Sequence, residues 1–243
     1  MQKPRRGVSS RKNQLAKADN TTPHLAQQYD GQVRNTIPYY DEFHEETIRF
    51  VKATGAHPRL WLDTGCGTGL LVKRALSRFT KTTFVLADPS AEMIKQARKK
   101  LRNHEDSGRI KFLKPVATQD LKLDSQFDVI TAIQSHHYLK KEEREHATRT
   151  CYDLLKRKGL FITFENVRPS SNEGIEAGKN YWSQFQLLRG KDARAVGKHM
   201  NRFDSEYFPI PVEEHLKLLK TCGFRTVELL WYSYMQAGFY GVK

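Results

Sequence analysis

The sequence predicts an α/β fold with a mostly parallel sheet, helices on both faces and an antiparallel hairpin at the C-terminal end, and three observations support it. Short apolar segments have the character of buried strands, and they span 60–63, 83–88, 110–113, 127–133 and 160–165. Helical segments bounded by glycine or proline separate them, an alternation typical of parallel sheets covered by helices. Two final strands, at about 224–232 and 234–242, are joined too tightly for a crossover helix, so they must pair antiparallel.

The helices of the alternating part follow from apolar spacing and from the residues that start and stop a helix. Acidic residues open a helix over 41–54, and Gly55 ends it. Pro89 lies in the first turn of the helix that follows the second strand. A further helix over 141–157 is predicted to stop at Gly159.

Residues 167–210 depart from this alternation, and we interpret them as an insertion. A helix is predicted from Ser171 to Arg189, and a polar loop is predicted through Arg194–Asp204. A last helix then begins after Pro211 and stops at Gly223 before the hairpin. The predicted organisation of the whole chain is a basic disordered tail, a lid with a helix, and one large domain, at 1–20, 21–55 and 56–243.

Composition narrows the class of protein and its partners. The chain has 243 residues and a net charge of +14, and six Lys or Arg residues lie among its first 17 residues with no acid between them. Such a charge attracts polyanions, so RNA is a candidate partner, although a well-solvated basic surface is the favoured explanation of the charge. The chain lacks an apolar run of roughly 18 residues and an apolar signal core, which predicts a cytoplasmic protein without membrane contact.

The cysteine and histidine patterns argue against two further kinds of site. The three cysteines, Cys66, Cys151 and Cys222, are far apart and have no CxxC spacing. This pattern predicts reduced thiols and neither a disulfide framework nor a zinc site. The histidines outside the pair at 136 and 137 are scattered, so we predict no metal site.

A glycine-rich loop follows the first predicted strand, with the sequence Asp63-Thr64-Gly65-Cys66-Gly67-Thr68-Gly69. Glycines let the backbone bend sharply and approach a ligand, while the next helix directs its N-terminal amides at it. The loop does not fit the GxGxxG pattern of dinucleotide sites or the GxxxxGK pattern of a Walker loop. Asp88 ends the second strand, where a carboxylate can accept both hydroxyls of a ribose.

The DxGxGxG loop and Asp88 together resemble the class I, Rossmann-like methyltransferases that use S-adenosylmethionine, and the likeness extends from about Tyr29 to Lys243. The resemblance implies a seven-stranded sheet in the order 3-2-1-4-5-7-6, with strand 7 antiparallel. Where many members carry an acid after the third strand for adenine, this chain offers Thr118 and Gln119 instead. The cofactor-binding residues implied are Arg34, Asp63, Gly65, Cys66, Gly67, Gly69, Asp88, Pro89, Met93, Thr118, Gln119 and Gln134.

The acceptor would bind beyond the carboxyl ends of the strands. His136 and His137, after the fourth strand, are candidate general bases because imidazole titrates near neutral pH, although either could serve only to cap the strand. Positioning alone can supply roughly 7–11 kcal/mol of a barrier, so a strong base is optional. The remaining acceptor candidates lie in the N-terminal lid, at the strand ends and in the insertion: Tyr29, Tyr39, Tyr40, Tyr138, Glu165, Trp182 and Arg202.

Three functions remain open from the sequence. Within the family, the lid, the insertion and the C-terminal end resemble a branch that contains bacterial tRNA wobble-uridine carboxymethyltransferases, which use carboxy-S-adenosylmethionine and hold its extra carboxylate with an arginine of the insertion. Arg202 lies in a comparable place. The branch also contains small-molecule methyltransferases, and we place transfer to a small-molecule acceptor first, tRNA modification second and a non-catalytic binding module third. Monomer and homodimer both remain open.

Overall fold

The computed structural model describes residues 19–243, so the predicted basic tail falls outside the described residues except for Asp19 and Asn20. A seven-stranded sheet in the order β3-β2-β1-β4-β5-β7-β6 lies at its centre. Its strands are β1 Leu60–Thr64, β2 Thr83–Ala87, β3 Ile110–Phe112, β4 Phe127–Ile133, β5 Leu155–Asn166, β6 Thr226–Ser233 and β7 Gln236–Val242. β1 to β5 pair parallel, whereas β7 is antiparallel to both β5 and β6. The predicted fold class, strand order and hairpin are confirmed.

Helices cover both faces of the sheet because the central strands are apolar on both sides. They are α1 Tyr29–Gln32, α2 Tyr40–Ala53, α3 Leu70–Ala75, α4 Ala91–Asp106, α5 Lys141–Leu154, α6 Asn172–Leu188, α7 Ala193–Met200 and α8 Val212–Thr221. Apolar residues of β1, β2 and β4 divide between a core beneath α2 and α3 and a core beneath α5 and α8. None of the helices within 19–243 has the length and apolar character that crossing a bilayer requires.

Two predicted boundaries are wrong. The fifth helix ends at Leu154 and not at Gly159, because Leu155 already pairs with Phe127 at the start of β5. The predicted polar loop through Arg194–Asp204 contains helix α7. Its N-cap is Asp192, whose carboxylate accepts from the backbone N–H of Ala195, and its buried side consists of Val196, His199 and Met200. Burial of that side against α6 outweighs the polar composition of the segment.

Candidate functional site

The glycine loop joins β1 to α3 at the carboxyl edge of the sheet. Gly65, Gly67 and Gly69 all have positive φ, at 65°, 53° and 75°. A Cβ at Gly65 would lie 2.5 Å from the Cβ of Ser135, and one at Gly69 would lie 2.8 Å from Leu101, so both positions require glycine. A Cβ at Gly67 meets nothing within 4 Å. The open side of Gly67 is therefore where a ligand can approach the backbone.

Two buried carboxyl groups flank this loop. Asp88 accepts from the backbone N–H groups of Gly67, at 2.8 Å, and Ser90, at 2.9 Å. Burial raises the pKa of its carboxyl to about 6, against the lowering effect of those two bonds. Asp63 accepts from the hydroxyl of Thr131 at 2.7 Å, and burial raises its pKa to about 7. Asp88 is therefore adjacent to the loop and also stabilises its conformation through the hydrogen bond from Gly67.

The segment after β3 lies against the same edge. Thr118 begins a short 3-10 turn, Thr118–Asp120, and its hydroxyl lies 2.6 Å from that of Thr64 at the end of β1. Gln119 is half-buried, and its Oε1 atom is buried without a partner. Of the other predicted cofactor residues, Cys66 and Met93 have side chains in the core, whereas Pro89 is exposed.

The residues around the loop fit S-adenosylmethionine. Among residues 19–243, Gln119 Oε1 and Gln134 Oε1 are buried acceptors without a hydrogen-bond partner, and the Ser135 hydroxyl next to Gly65 is also unpaired. The cofactor carries two amino groups, one on adenine and one on methionine, and buried acceptors require such donors. Gln119 would hold the first and Gln134 the second, with Asp88 accepting from the ribose hydroxyls.

The N-terminal segment 19–36, here called the strap, crosses this site and is attached to it at several points. Asp19 accepts from the hydroxyl of Ser90, at 2.7 Å, beside Asp88. In α1, Asp30 accepts from the hydroxyl of Thr68 in the glycine loop at 2.6 Å and forms an ion pair with Lys100 of α4. The lid predicted from the sequence is therefore a strap that covers the loop.

Arg34 does not reach the cofactor site. Its Nε and Nη2 atoms donate to Asp41 at 2.7 and 2.8 Å, and Nη1 donates to the carbonyl of Asp30. A guanidinium with all three nitrogens engaged has no fork left for the carboxylate of methionine. The predicted role of Arg34 is replaced by an ion pair between the strap and α2.

Next to the loop, the strap, the ends of β4 and β5, and the insertion enclose a pocket. Its walls include the predicted residues Tyr29, Gln134, Tyr138, Trp182 and Arg202. They also include Tyr207 of the insertion and residues that sequence reasoning did not single out, namely Thr22, Pro23, His24, Val33, Thr36, Ile37, Asn166 and His199. An isolated histidine in a polar segment belongs to no motif or apolar repeat. His24 and His199 could therefore be identified as pocket residues only from the tertiary structure.

Arg202 dominates the electrostatics of this pocket. It is 6 % exposed; its Nε donates to Glu206 at 2.7 Å and its Nη2 donates to the carbonyl of Thr21. Its Nη1 atom is buried and has no partner among the described residues. The hydroxyl of Tyr207 is also buried and unpaired. No aspartate or glutamate lines the part of the pocket that residues 19–243 form. Glu206 pairs with the Nε edge of this guanidinium, and the Nη1 edge, which has no acceptor, favours a second anion.

His136, His137 and Glu165 are brought together, but not in the pocket. Glu165 is fully buried and accepts from the backbone N–H groups of both histidines, from the Thr163 hydroxyl and from Nδ1 of His137 at 2.7 Å. Burial opposes ionisation of Glu165, yet the hydrogen bond and charge of His137 outweigh it and lower the pKa to about 2. With both oxygens occupied, Glu165 clamps the turn after β4 and does not bind an acceptor.

His136 and His137 lie outside this pocket, in two different environments. His136 faces a second small cavity with Arg144 and His215, and burial lowers its pKa to about 4. His137 is 1 % exposed and packs against Tyr138 and Tyr207 behind the pocket wall. Neither histidine is part of the pocket wall, so the geometry favours the strand-capping role over that of a general base.

The lid tyrosines also separate. Tyr29 lines the pocket and packs edge-on against buried Tyr40, which supports it from behind. Tyr39 is 49 % exposed and contacts Trp231 and Tyr234 on the outer surface, so it is not an acceptor residue. Within 19–243, no group of three or more histidine, cysteine or acidic side chains has an arrangement that could hold a metal ion.

Comparison with known proteins agrees with the fold and the loop. Residues 62–161, which include the glycine loop and Asp88, match the family model described as a methyltransferase domain. In solved structures the fold is similar to magnesium protoporphyrin IX methyltransferase from Synechocystis, with a TM-score of 0.62, 15 % identity and 86 % of each chain covered. Human N-acetylserotonin methyltransferase aligns with a TM-score of 0.56 and 15 % identity over 90 % of this chain and 53 % of that chain. The fold and the site thus define a class I, S-adenosylmethionine-dependent methyltransferase.

Among curated proteins, the chain is similar to carboxy-S-adenosyl-L-methionine synthases. The Trichodesmium erythraeum protein is 23 % identical over 204 residues, covering 83 % of this chain and 79 % of the relative. The Helicobacter hepaticus protein is 25 % identical over 233 residues, covering 90 % of this chain and 92 % of the relative. These likenesses leave the acceptor open.

Proposed function

We propose that this enzyme transfers a methyl group from S-adenosylmethionine to a small acceptor that carries a carboxylate, and that Arg202 holds this carboxylate. The observation that carries the proposal is the buried, unpaired Nη1 atom of Arg202, a residue that lines the pocket between the strap, the ends of β4 and β5 and the insertion. A charged donor left unpaired in a buried wall is costly, and a carboxylate removes that cost.

The lining and charge of the pocket support a small anionic acceptor. The free cavity has a volume of about 10 Å³, so the strap must open to admit the acceptor. The strap covers the glycine loop, and α6 and α7 close the opposite side with Trp182 and His199, so a large substrate would have to displace both. Tyr138, Tyr207 and Trp182 offer flat apolar faces, and Arg202 offers charge. Such a combination orients a planar or aliphatic acid with its carboxylate at one end.

Positioning is what the residues of this chain contribute to the reaction. When bound, S-adenosylmethionine would supply an electrophilic methyl group for displacement from its sulfonium by an acceptor atom. Asp88 and the glycine loop fix the cofactor, while Arg202 fixes the acceptor, which makes the displacement effectively unimolecular. The strap excludes water from the site. Neither His136 nor His137 lines the pocket, so neither is placed to take a proton from the acceptor.

A second candidate arises from the named relatives. Their name gives carboxy-S-adenosyl-L-methionine as a product. The same Nη1 atom of Arg202 could hold the extra carboxylate of that compound, with the strap closing over it. Arg202 then binds an acid that is part of the cofactor and not of the acceptor.

One experiment separates the two candidates. The purified protein would be analysed by mass spectrometry for retained cofactors, and then incubated with S-adenosylmethionine and a panel of small acids and their neutral amides. The first candidate predicts formation of S-adenosylhomocysteine with acids and not with amides. Retained carboxy-S-adenosylmethionine, or its appearance during the incubation, favours the second. Conversion of amides as fast as acids contradicts the proposed function.

Arg202→Gln tests the residue itself, with Arg157→Gln as the matched control. Arg157 lies exposed at the start of β5, and its side chain makes no hydrogen bond with another residue of 19–243. We expect Arg202→Gln to raise KM for the acid at least tenfold, the scale of one hydrogen bond to a charged group. Arg157→Gln should leave KM within twofold. An unchanged KM in Arg202→Gln would remove Arg202 from the site.

A further inference from the structure

A row of hydrogen-bonded side chains on the insertion side of the pocket has no role in the transfer just described: Lys191, Gln186 and His199. We propose that this row forms a second subsite, in which the Nε2–H group of His199 donates to an oxygen of the acceptor other than the carboxylate on Arg202. The inference rests on the proposed function because both subsites share one pocket. The acceptor is then an acid with a second oxygen-bearing group at its far end.

Lys191 determines the polarity of the row. Its Nζ lies 3.1 Å from Oε1 of Gln186 and 2.8 Å from the hydroxyl of Thr36. An ammonium group only donates, so the oxygen of Gln186 faces Lys191 and the amide nitrogen faces His199. That nitrogen lies 3.0 Å from Nδ1 of His199. Nδ1 therefore accepts a hydrogen bond, and the neutral imidazole carries its proton on Nε2.

His199 is neutral and directed to the pocket. It is 6 % exposed, it lines the pocket, and its Nε2 atom has no hydrogen-bond partner within 19–243. Burial, followed by the charges of Lys191 and Arg202, lowers the pKa of its imidazole to about 3. The indole of Trp182 packs edge-on at 5.0 Å and fixes the ring. A fixed imidazole that presents N–H is a donor and not a base.

The neighbours of His199 favour an oxygen ligand over a cationic one. His24 from the strap, Lys191 and Arg202 all lie close enough to act on its charge. The hydroxyl of Tyr207 beside it is unpaired. The acids nearest to His199 along the chain have other partners: Asp204 is ion-paired with Arg168, Glu206 is ion-paired with Arg202, and the exposed Asp192 caps α7 through Ala195. An ammonium group placed beside His199 would meet the positive charges of Lys191 and Arg202, whereas a carbonyl or carboxylate oxygen would accept from the donors there.

The tautomer of His199 can be measured without any substrate. The protein would be labelled with ¹⁵N-histidine, and the His199 signals would be assigned by comparison with His199→Gln. We expect the proton on Nε2 and a bare Nδ1 at pH 7. A proton on Nδ1 in the wild-type protein would overturn the proposal, whatever the acceptor is.

Gln186→Glu should reverse the tautomer, because a carboxylate at that place accepts from Nδ1 and leaves Nε2 bare. Gln184→Glu on the exposed side of the same helix is the matched control, since it adds the same charge without touching His199. Retention of the wild-type tautomer in a folded Gln186→Glu variant would contradict the role of Gln186. If that variant does not fold, the wild-type tautomer and the ligand series below still decide the proposal.

Three probes of similar length test the ligand class. Glutarate ends in a second carboxylate, pentanoate in a methyl group and 5-aminopentanoate in an ammonium group. We expect glutarate to bind about tenfold more tightly than pentanoate, the factor of one charge-assisted hydrogen bond, and 5-aminopentanoate to bind most weakly. His199→Ala should abolish the difference between glutarate and pentanoate. Equal binding of the three by the wild-type protein would overturn the second subsite.

The two proposals fail in different ways. If Arg202→Gln leaves binding of pentanoate unchanged while the Nε2–H tautomer and the preference for glutarate persist, the carboxylate site at Arg202 is wrong and the His199 subsite stands. If pentanoate binding depends on Arg202 but the tautomer is reversed, the proposed function stands and the second subsite is withdrawn.

Discussion

The carboxylate of Asp88 accepts a 2.8 Å hydrogen bond from the backbone N–H of Gly67. This bond ties the end of β2 to the middle of the glycine loop, so the side chain proposed to bind the ribose also holds the loop in place. The glycine has positive φ and its open side has no neighbour within 4 Å. Loss of the carboxylate therefore affects the cofactor site in two ways.

Asp88→Ala should weaken binding of S-adenosylmethionine by about 1.5–3 kcal/mol, the scale of hydrogen bonds to a charged group. Isothermal titration calorimetry measures this difference directly. Asp106→Ala, an exposed acid at the end of α4, is the control and should bind like the wild-type protein. Equal affinity of Asp88→Ala and wild type would refute the ribose assignment.

Cofactor binding should release a proton near pH 6. Burial raises the pKa of Asp88 to about 6 in the free protein, and two ribose hydroxyls that donate to the carboxylate would lower it. Near pH 6 the free form is partly protonated and the bound form is not, so affinity rises as pH increases through 6. Calorimetry in buffers of different ionisation enthalpy measures the proton count. Proton uptake at pH 6 would contradict this prediction.

Glu165→Gln should destabilise the fold without acting through the pocket. The carboxylate accepts four hydrogen bonds from groups that are buried with it, and an amide replaces one acceptor oxygen by a donor. We expect a loss of about 2–4 kcal/mol in the free energy of unfolding, measured by urea denaturation. Glu228→Gln on the exposed side of β6 should change it by less than about 0.5 kcal/mol. A Glu165→Gln variant as stable as the wild type would show that the clamp is unimportant.

The buried histidines should make the fold sensitive to acid. Burial lowers the pKa of His215 to about 3, whereas an unfolded histidine titrates near 6.5. The unfolded chain therefore binds more protons between those values, and each such histidine lowers the free energy of unfolding by about 1 kcal/mol per pH unit as pH falls below 6.5. Urea denaturation at pH 7, 6 and 5 measures the slope.

His215→Gln should reduce that slope, and His146→Gln on the exposed side of α5 should not. Asp63, whose pKa burial raises to about 7, acts in the opposite direction, because its folded form holds a proton that the unfolded form has lost. It contributes equally to both variants, so their difference isolates His215. Equal slopes in the two variants would show that His215 is not buried in its neutral form.

Much of the cofactor site could be predicted from the sequence because it depends on local chain geometry. Gly65, Gly67 and Gly69 could be predicted because a turn directly after a strand requires positive φ. Asp88 could be predicted because it directly follows the next strand. The acceptor side depends on which side chains from distant segments face one another. The sequence assigned Arg34 to the cofactor, but its guanidinium forms an ion pair with Asp41. A pair seven residues apart in the chain has no spacing that a sequence pattern would reveal.

By itself, the sequence determined the parallel sheet with its C-terminal hairpin, the glycine loop and the acid that faces it, since apolar period, turn residues and strand ends are properties of neighbouring positions. Only the tertiary structure decided that Glu165 clamps a turn, that Tyr39 lies outside and that Nδ1 of His199 lies beside the side-chain amide of Gln186. The physical reason is that hydrogen-bond partners and burial of a side chain are set by segments far away in the chain, here the strap and the insertion folding over the carboxyl edge of the sheet.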